Sequence, residues 1–355
     1  MAVHIRIMQS AEAPAWDAYV RSHPHATIYQ LSAWQSIIQN TYNHKPFYLM
    51  ALKSDPKTDL ETDAIAGILP LVQLKSVLFG NQLISIPFFD MGGVLAGDSD
   101  TERALIAGAI QLGQRLKIDS LELRHLRPAS FPGLCPTQTH KVRMLLDLPE
   151  SSEALMGGFK SKLRSQIKKA VKDCLKAEIG GVELLDDFYE VFLVNMRDLG
   201  SPVHSKRLME NVFRHFSKEA KIVLVRKDGR ALAGSIVIGF KDVLENPWAS
   251  SLRRFSHLNP NMFLYWTVLE YACQSGFRQF DFGRSTPDEG TYKFKAQWGA
   301  EPHKLYWQGV TVNGHTVDAG NLERSKFEIA VKYWKKLPIP ISRYIGPVIR
   351  KHIGL

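Results

Sequence analysis

Apolar positions along this chain follow two rhythms, a helical spacing of three or four residues and a strand-like alternation of two. In the first half, residues 12–21 and 32–40 carry the helical spacing, and Ser32 stands where it would cap the second helix. Residues 45–53, 64–72 and 83–87 read as strands, with a polar loop at 55–63. Residues 100–117 predict an amphipathic helix, because Leu105, Ile106, Ala109, Ile110 and Leu112 share one side. Alternation returns at 120–126 and 141–148, and Pro149-Glu150-Ser151-Ser152 reads as a boundary.

The second half repeats the plan. Residues 152–177, 186–199 and 206–216 are expected as helices. Apolar runs at 222–225 and 231–240 flank Lys227-Asp228-Gly229-Arg230, which predicts a tight hairpin. A strand at 248–255, a helix at 263–275 and a strand at 277–282 follow. Residues 104–126 and 264–282 therefore match in the order of their elements, without strong residue identity. The expected architecture is α/β with mixed sheets: two similar domains over 1–149 and 150–310, then a tail at 311–355.

Composition adds limits. The chain has 355 residues, 45% hydrophobic and 23% charged, which suits two globular domains and excludes a disordered chain. Lys+Arg number 45 against 35 Asp+Glu, a net charge of +10, so an anionic partner is expected. Cys135, Cys174 and Cys273 lie too far apart for a disulfide framework or a zinc knuckle. The opening MAVHIRIMQSAEAPAW lacks the basic start and apolar core of an export signal, and no run of about 18 apolar residues occurs. A cytoplasmic protein is expected.

Several chemistries are missing from the sequence. There is no GxxxxGK[ST], no GxGxxG after a strand, no HExxH and no GxSxG. Asp281-Phe282-Gly283 spells a kinase motif without its companions. The Arg/Gln-x-x-Gly-x-Gly/Ala turn that holds coenzyme A pyrophosphate in ordinary acetyltransferases is absent too. His23-Pro24-His25 lacks a third ligand, so no metal is expected.

Two segments carry candidate chemistry. In FKSKLRSQIKKAVKDCLKAEI, Phe159, Leu163, Ile167 and Val171 recur at helical spacing, while seven cations face one acid, Asp173. The N-terminal end of that helix, near Lys160 and Arg164, would add its dipole to the binding of a phosphate. In FDFGRSTPDEGTYKFKAQWGAEP, a strand ends at Gly283 and a polar loop runs from Arg284 to Gly290. If the next piece is extended, Tyr292, Phe294 and Ala296 point one way, and Lys293 and Lys295 the other.

These residues carry a family resemblance. The sequence resembles the Fem-type (FemAB-like) transferases, and more narrowly the FemAB-related proteins of exosortase/PEP-CTERM exopolysaccharide loci. The resemblance rests on Asp281-Phe282-Gly283-Arg284-Ser285-Thr286-Pro287, Phe294-Lys295 with Trp298-Gly299, residues 159–170, and His25-Ala26-Thr27-Ile28-Tyr29-Gln30 before Trp34. It implies two tandem acetyltransferase-like (GNAT-related) domains and transfer of an acyl or aminoacyl group to an amine of a cell-envelope or exopolysaccharide precursor. It implies that Lys295 stabilises the tetrahedral oxyanion, and that cations and tyrosines hold phosphates, by position Arg253, Arg254 and Tyr265. Lys160 and Arg164 of the basic helix and Arg284 and Tyr292 of the motif are further candidate substrate-binding residues. The chemistry fits that resemblance: aminolysis of an activated ester or thioester needs an oriented neutral amine and a cation at the developing oxyanion. A buried lysine would supply the cation, while Asp281 or Asp288 would take the amine proton or orient the lysine. The donor would be aminoacyl-tRNA or acyl-CoA, with no bound cofactor. The partner would be an anionic small-molecule or lipid-linked precursor, with tRNA as a further partner and no DNA. The long helical hairpin that some members insert for tRNA is absent.

Two other readings fit the residues: an acyl-CoA-dependent N-acetyltransferase, and a non-catalytic protein that binds anionic glycan or RNA through its basic surface. The tail adds seven Lys/Arg and one Glu from Lys326 to Leu355, interleaved with aromatic and aliphatic residues. Such a segment either packs back on the body or makes a peripheral contact with an anionic membrane face.

Overall fold

The computed structural model describes residues 3–53, 64–76, 80–138, 140–311 and 330–354. The expected loop at 55–63, residues 1–2 of the opening segment and residues 312–329 of the tail lie outside the described residues. The chain divides into two compact units, residues 1–140 with 304–321 and 352–355, and residues 141–303 with 322–351.

The first unit runs β1 (Val3–Ile7), α1 (Ala13–Ser22), α2 (Ala33–Tyr42), β2 (Lys45–Lys53), β3 (Ala64–Ser76), β4 (Gly80–Ile84), β5 (Leu95–Ala96), α3 (Ser99–Leu116), β6 (Ser120–His125) and β7 (Cys135–Gln138). The second runs β8 (Val142–Asp147), α4 (Ser152–Gly158), α5 (Ser161–Lys172), β9 (Lys176–Gly180), α6 (Leu185–Leu199), α7 (Lys206–His215), β10 (Ala220–Lys227), β11 (Arg230–Phe240), β12 (Val243–Ser251), α8 (Pro260–Gln274), β13 (Gln279–Ser285), α9 (Gly290–Ala296) and β14 (Glu301–Lys304). Then β15 (Tyr306–Thr311) returns to the first unit and α10 (Ile339–Arg350) to the second.

The sheet orders show the expected repeat. One reads β1-β2-β3-β4-β6-β15-β7, with β5 beside β3; the other reads, from its far edge, β9-β10-β11-β12-β13-β8-β14. In each, antiparallel strands lead to one parallel pair joined by a crossover helix, β4–α3–β6 and β12–α8–β13. A crossover of that length is what a parallel pair requires. The strand beyond the crossover is exchanged between the sequence halves. The first sheet takes β15, and the second takes β8. Residues 141–148, expected in a first domain ending at 149, therefore pair within the second unit's sheet.

Each unit builds its own core. Leu49, Leu69, Leu83, Leu105, Ile106 and Leu121 are buried in the first; Met144, Leu163, Val223, Val237, Leu264, Val268 and Phe280 in the second. The predicted hairpin is present, with Asp228 at φ 49° and Gly229 at φ 78°, both in the left-handed region that a two-residue turn needs. Ser32 does hold the cap position of α2, but its hydroxyl bonds Asp17 rather than the helix.

Two expectations are corrected. Residues 152–177 are not one helix. The extended backbone of Phe159 and Lys160 separates α4 from α5, Cys174 at φ 58° turns the chain back, and 176–180 pair as a strand with β10. Residues 290–296 are helical, not extended. Helical geometry brings Phe294 and Trp298, four residues apart, to the same face, where both meet Tyr265.

Candidate functional site

The site is set by where β12 and β13 part. Their parallel ladder holds three pairs, Val243↔Gln279, Leu244↔Phe280 and Glu245↔Asp281. Beyond them, β12 stays with β11 and β13 stays with β8. Pro247 helps cause the divergence. It has no N–H to give a ladder, and the β11–β12 register shifts around it, between Ile236↔Trp248 and Ile238↔Glu245. Past the last pair, β12 continues with Asn246 and β13 with Phe282 to Ser285.

Asp281 is 1% exposed and fully engaged. One carboxylate oxygen takes the Arg143 guanidinium, Nη2 at 2.8 Å and Nε at 3.0 Å. The other accepts the Gly283 N–H at 2.8 Å. This carboxylate holds β8 and the turn at Gly283, whose carbonyl receives the Lys295 ammonium. Gly283 sits at φ 75°, a conformation that favours glycine.

Lys295 is 8% exposed, on the last turn of α9. Its ammonium donates to the Gly283 carbonyl at 3.0 Å and the Arg284 carbonyl at 2.8 Å. The motif therefore closes on itself: strand end, turn and lysine are joined, with the cation buried directly behind the divergence. Buried charge of this kind acts at far lower dielectric than a surface lysine.

Aromatic packing fixes the frame. Tyr265 of α8 stacks on Phe282 at 5.4 Å and meets Phe294 at 5.0 Å and Trp298 at 6.2 Å. Phe159 meets Trp298 edge-on at 5.4 Å, which anchors the start of α5 beside α9. The Tyr265 hydroxyl bonds Asn246, and burial pushes its pKa up to about 12. It is a neutral hydrogen-bonding group near pH 7. Asn246 also accepts from the Ser235 hydroxyl at 2.7 Å. Ser285 Oγ and Trp298 Nε1 are buried with no hydrogen-bond partner among the described residues.

Asp281, Lys295, Arg284 and Tyr265 thus come together. Other predicted residues lie further out. Asp288 is exposed in the loop before α9, at φ 66°, and Tyr292 is half-buried on α9 against the core. Lys160 is exposed at the N-terminal cap of α5, and Arg164 donates to the Gly157 carbonyl at 3.1 Å. Arg253 and Arg254 are exposed on the turn before α8, with Arg254 over Phe255 at 4.9 Å. Lys169 ties the other end of α5 to that turn, donating to the His257 carbonyl at 2.9 Å. Lys160 and Lys169 are separated by about 14 Å along the helix, so the structure gives two cationic groups rather than one cluster.

The sequence reading missed Arg143, Asn246, Ser235 and Ser285. Ser285 lay inside the quoted motif, and Arg143 stood in a predicted strand whose partner no local signal named. The corresponding place in the first unit is filled. The β4–β6 ladder also stops after three pairs. Arg124 then donates to the Phe89 carbonyl at 2.6 Å, both Gly92 and Gly93 bond the Arg124 carbonyl, and Tyr29, Trp34 and Phe89 pack together there. His23 bonds the Ala96 carbonyl at 3.2 Å, and among the described residues no group of His, Cys, Asp or Glu is arranged to hold a metal.

Comparison with known proteins agrees with the fold. The domain family described as "Acetyltransferase (GNAT) domain" matches residues 159–304. Among solved structures, the chain is similar to FemX, with a TM-score of 0.67 and 15% identity over 87% of this chain and 97% of that one. It is similar to a tandem GNAT protein from the clavulanic acid biosynthesis pathway, with a TM-score of 0.55 and 12% identity over 88% and 100%. It is also similar to L-PGS from Bacillus licheniformis, with a TM-score of 0.55 and 9% identity over 94% and 99%. No curated protein matches the sequence. The chain carries a GNAT-type acyltransferase fold with two GNAT-like sheets in tandem.

Proposed function

We propose that this chain is an N-acyltransferase whose second unit transfers an acyl or aminoacyl group to an amine of an anionic cell-envelope or exopolysaccharide precursor. The observation that carries the reading is the buried Lys295 ammonium behind the divergence of β12 and β13. In the reaction the amine nitrogen bonds the donor's carbonyl carbon, and the carbonyl electron pair moves to oxygen. Collapse of that intermediate breaks the bond to the leaving thiolate or ribose oxygen, and the amine loses its proton. Lys295 stabilises the oxyanion. Asp288, exposed on the loop, takes the proton. Asp281 holds Gly283 in place.

The two cationic groups suit two anionic reactants. Arg253 and Arg254, beside the N-terminus of α8, hold the donor's phosphates. Lys160 and Arg164 hold the acceptor's phosphates, with Arg284 and Tyr292 lining the approach. The resemblance of residues 281–287 and 294–299 to Fem-type transferases supports an aminoacyl donor and an envelope precursor as acceptor, on a fold that is similar to FemX. A second reading, transfer from acyl-CoA, is favoured by the acetyltransferase family matching residues 159–304.

The test is transfer of labelled groups from charged tRNA and from acyl-CoAs onto a lipid-precursor extract by the purified protein. Transfer from charged tRNA supports the first reading, and transfer from acyl-CoA alone supports the second. Salt-sensitive binding of anionic glycan or RNA without transfer from either donor contradicts both.

A further inference from the structure

One helix of the second unit is turned the opposite way from what burial alone would choose. Ile341, Tyr344, Ile345, Val348 and Ile349 of α10 recur at three- and four-residue spacing, and so form one stripe. That stripe faces solvent: Tyr344 is 78% exposed and Val348 60%. Tyr333, just before it, is 69% exposed. More than half of the large exposed apolar side chains among the described residues lie between Tyr333 and Ile349.

The inward side is small and polar. Ser342 and Gly346, four residues apart, are buried, and Gly346 lies so close to Val203 that a Cβ there would come within 2.9 Å of it. Arg343 pairs with Glu190 of α6 at 2.7 Å, and Arg350 Nε donates to His204 Nε2 at 3.0 Å. These contacts hold α10 against the unit and set its rotation, so the apolar stripe is presented outward by construction.

Charge selects the occupant. Residues 330–354 contain Lys332, Lys335, Lys336, Arg343, Arg350 and Lys351 and no acid. Lys332, Lys335 and Lys336 are exposed. A second copy of this chain would bring the same cations together. An anionic bilayer takes both features, with the apolar stripe at the acyl boundary, the tyrosines at headgroup level and the lysines on the phosphates. At 12 residues, α10 is about 18 Å long, too short to span. Among the described residues no helix is long and apolar enough to cross a membrane.

We propose that α10, with the Lys332–Lys336 segment before it, is a docking surface that lays this protein in the plane of an anionic lipid bilayer. The proposal does not depend on the transfer reaction, because its readout is vesicle binding. Full-length protein is sedimented with vesicles of phosphatidylcholine, or of phosphatidylcholine and phosphatidylglycerol in equal parts. The wild type is expected to sediment with the mixed vesicles and to stay in solution with phosphatidylcholine alone. Tyr344→Glu with Val348→Glu is expected to weaken binding by at least about tenfold. Each of Lys332→Glu, Lys335→Glu and Lys336→Glu weakens it by roughly fivefold, and high salt removes that difference. All altered side chains are exposed, so circular dichroism and the melting temperature stay those of the wild type. Binding unchanged in the Tyr344→Glu, Val348→Glu protein overturns the proposal, as does equal binding to both vesicle types. A dimer dissolved by that variant, with no vesicle binding by the wild type, also overturns it and assigns the stripe to a second copy.

Discussion

Lys295 owes its burial to residues the motif brings with it: two carbonyls of the strand end receive its ammonium, while Phe294 on the same short helix and Trp298 just beyond it pack on Tyr265. The Arg143–Asp281 pair stands behind that arrangement. Removing one partner leaves the other's charge buried, so Arg143→Leu is expected to cost about 3 kcal/mol, read from urea denaturation. Asp281→Asn added to it should recover part of that loss. His125 gives a second test. Burial holds its pKa down to about 4, against an ordinary 6.5, with Nε2 buried and without a hydrogen-bond partner among the described residues. The unfolded chain therefore binds the proton first as the solution is acidified. Stability from this group is complete above pH 6.5 and falls by up to roughly 3 kcal/mol as pH drops toward 4. His125→Leu should flatten that part of the stability–pH curve. At this scale the sequence showed Lys295 through its motif. It could not show Arg143, because the pair joins residues 138 positions apart.

The elements were legible where local chemistry decides them. Asp228-Gly229 between apolar runs is such a case, and Gly229→Ala tests it. A Cβ there meets nothing within 4 Å, so the cost is conformational alone. At φ 78° it should be about 1 kcal/mol, seen as a shift in urea midpoint with an unchanged slope. The stretch 290–296 was not legible, since Tyr292, Phe294 and Ala296 suit either an alternating strand or a short helix. Packing of Phe294 and Trp298 on Tyr265 decides it. The break at Phe159-Lys160 was hidden by an uninterrupted helical spacing. It lets Phe159 reach Trp298 and leaves Lys160 at a free helix end.

At the scale of the whole molecule, the duplicated order of elements was visible, and the exchange of β8 and β15 was not. Both strands have ordinary alternating patterns, and their partners are fixed only by pairing over long range. The exchange predicts how the chain can be cut. A fragment of residues 150–303 lacks β8 and leaves the Asp281 carboxylate without Arg143, whereas 141–303 keeps both. The longer fragment is expected to show the higher urea midpoint, and equal midpoints would mean that β8 adds nothing to the sheet. The same division goes with our assignment of the proposed acyl chemistry to the second unit. In the first unit the divergence of β4 and β6 is filled by Arg124 bonds and aromatic rings, while in the second it is backed by a buried ammonium.

The central claim is that this ammonium stabilises the oxyanion of acyl transfer. Its most direct test is the single-turnover rate of Lys295→Ala beside the wild type, with saturating donor and with donor affinity measured separately. The Lys295→Ala rate is expected to be lower by about 10²–10³-fold, with donor affinity and circular dichroism unchanged. A rate equal to the wild type's would contradict it and reduce Lys295 to a tie between α9 and the end of β13.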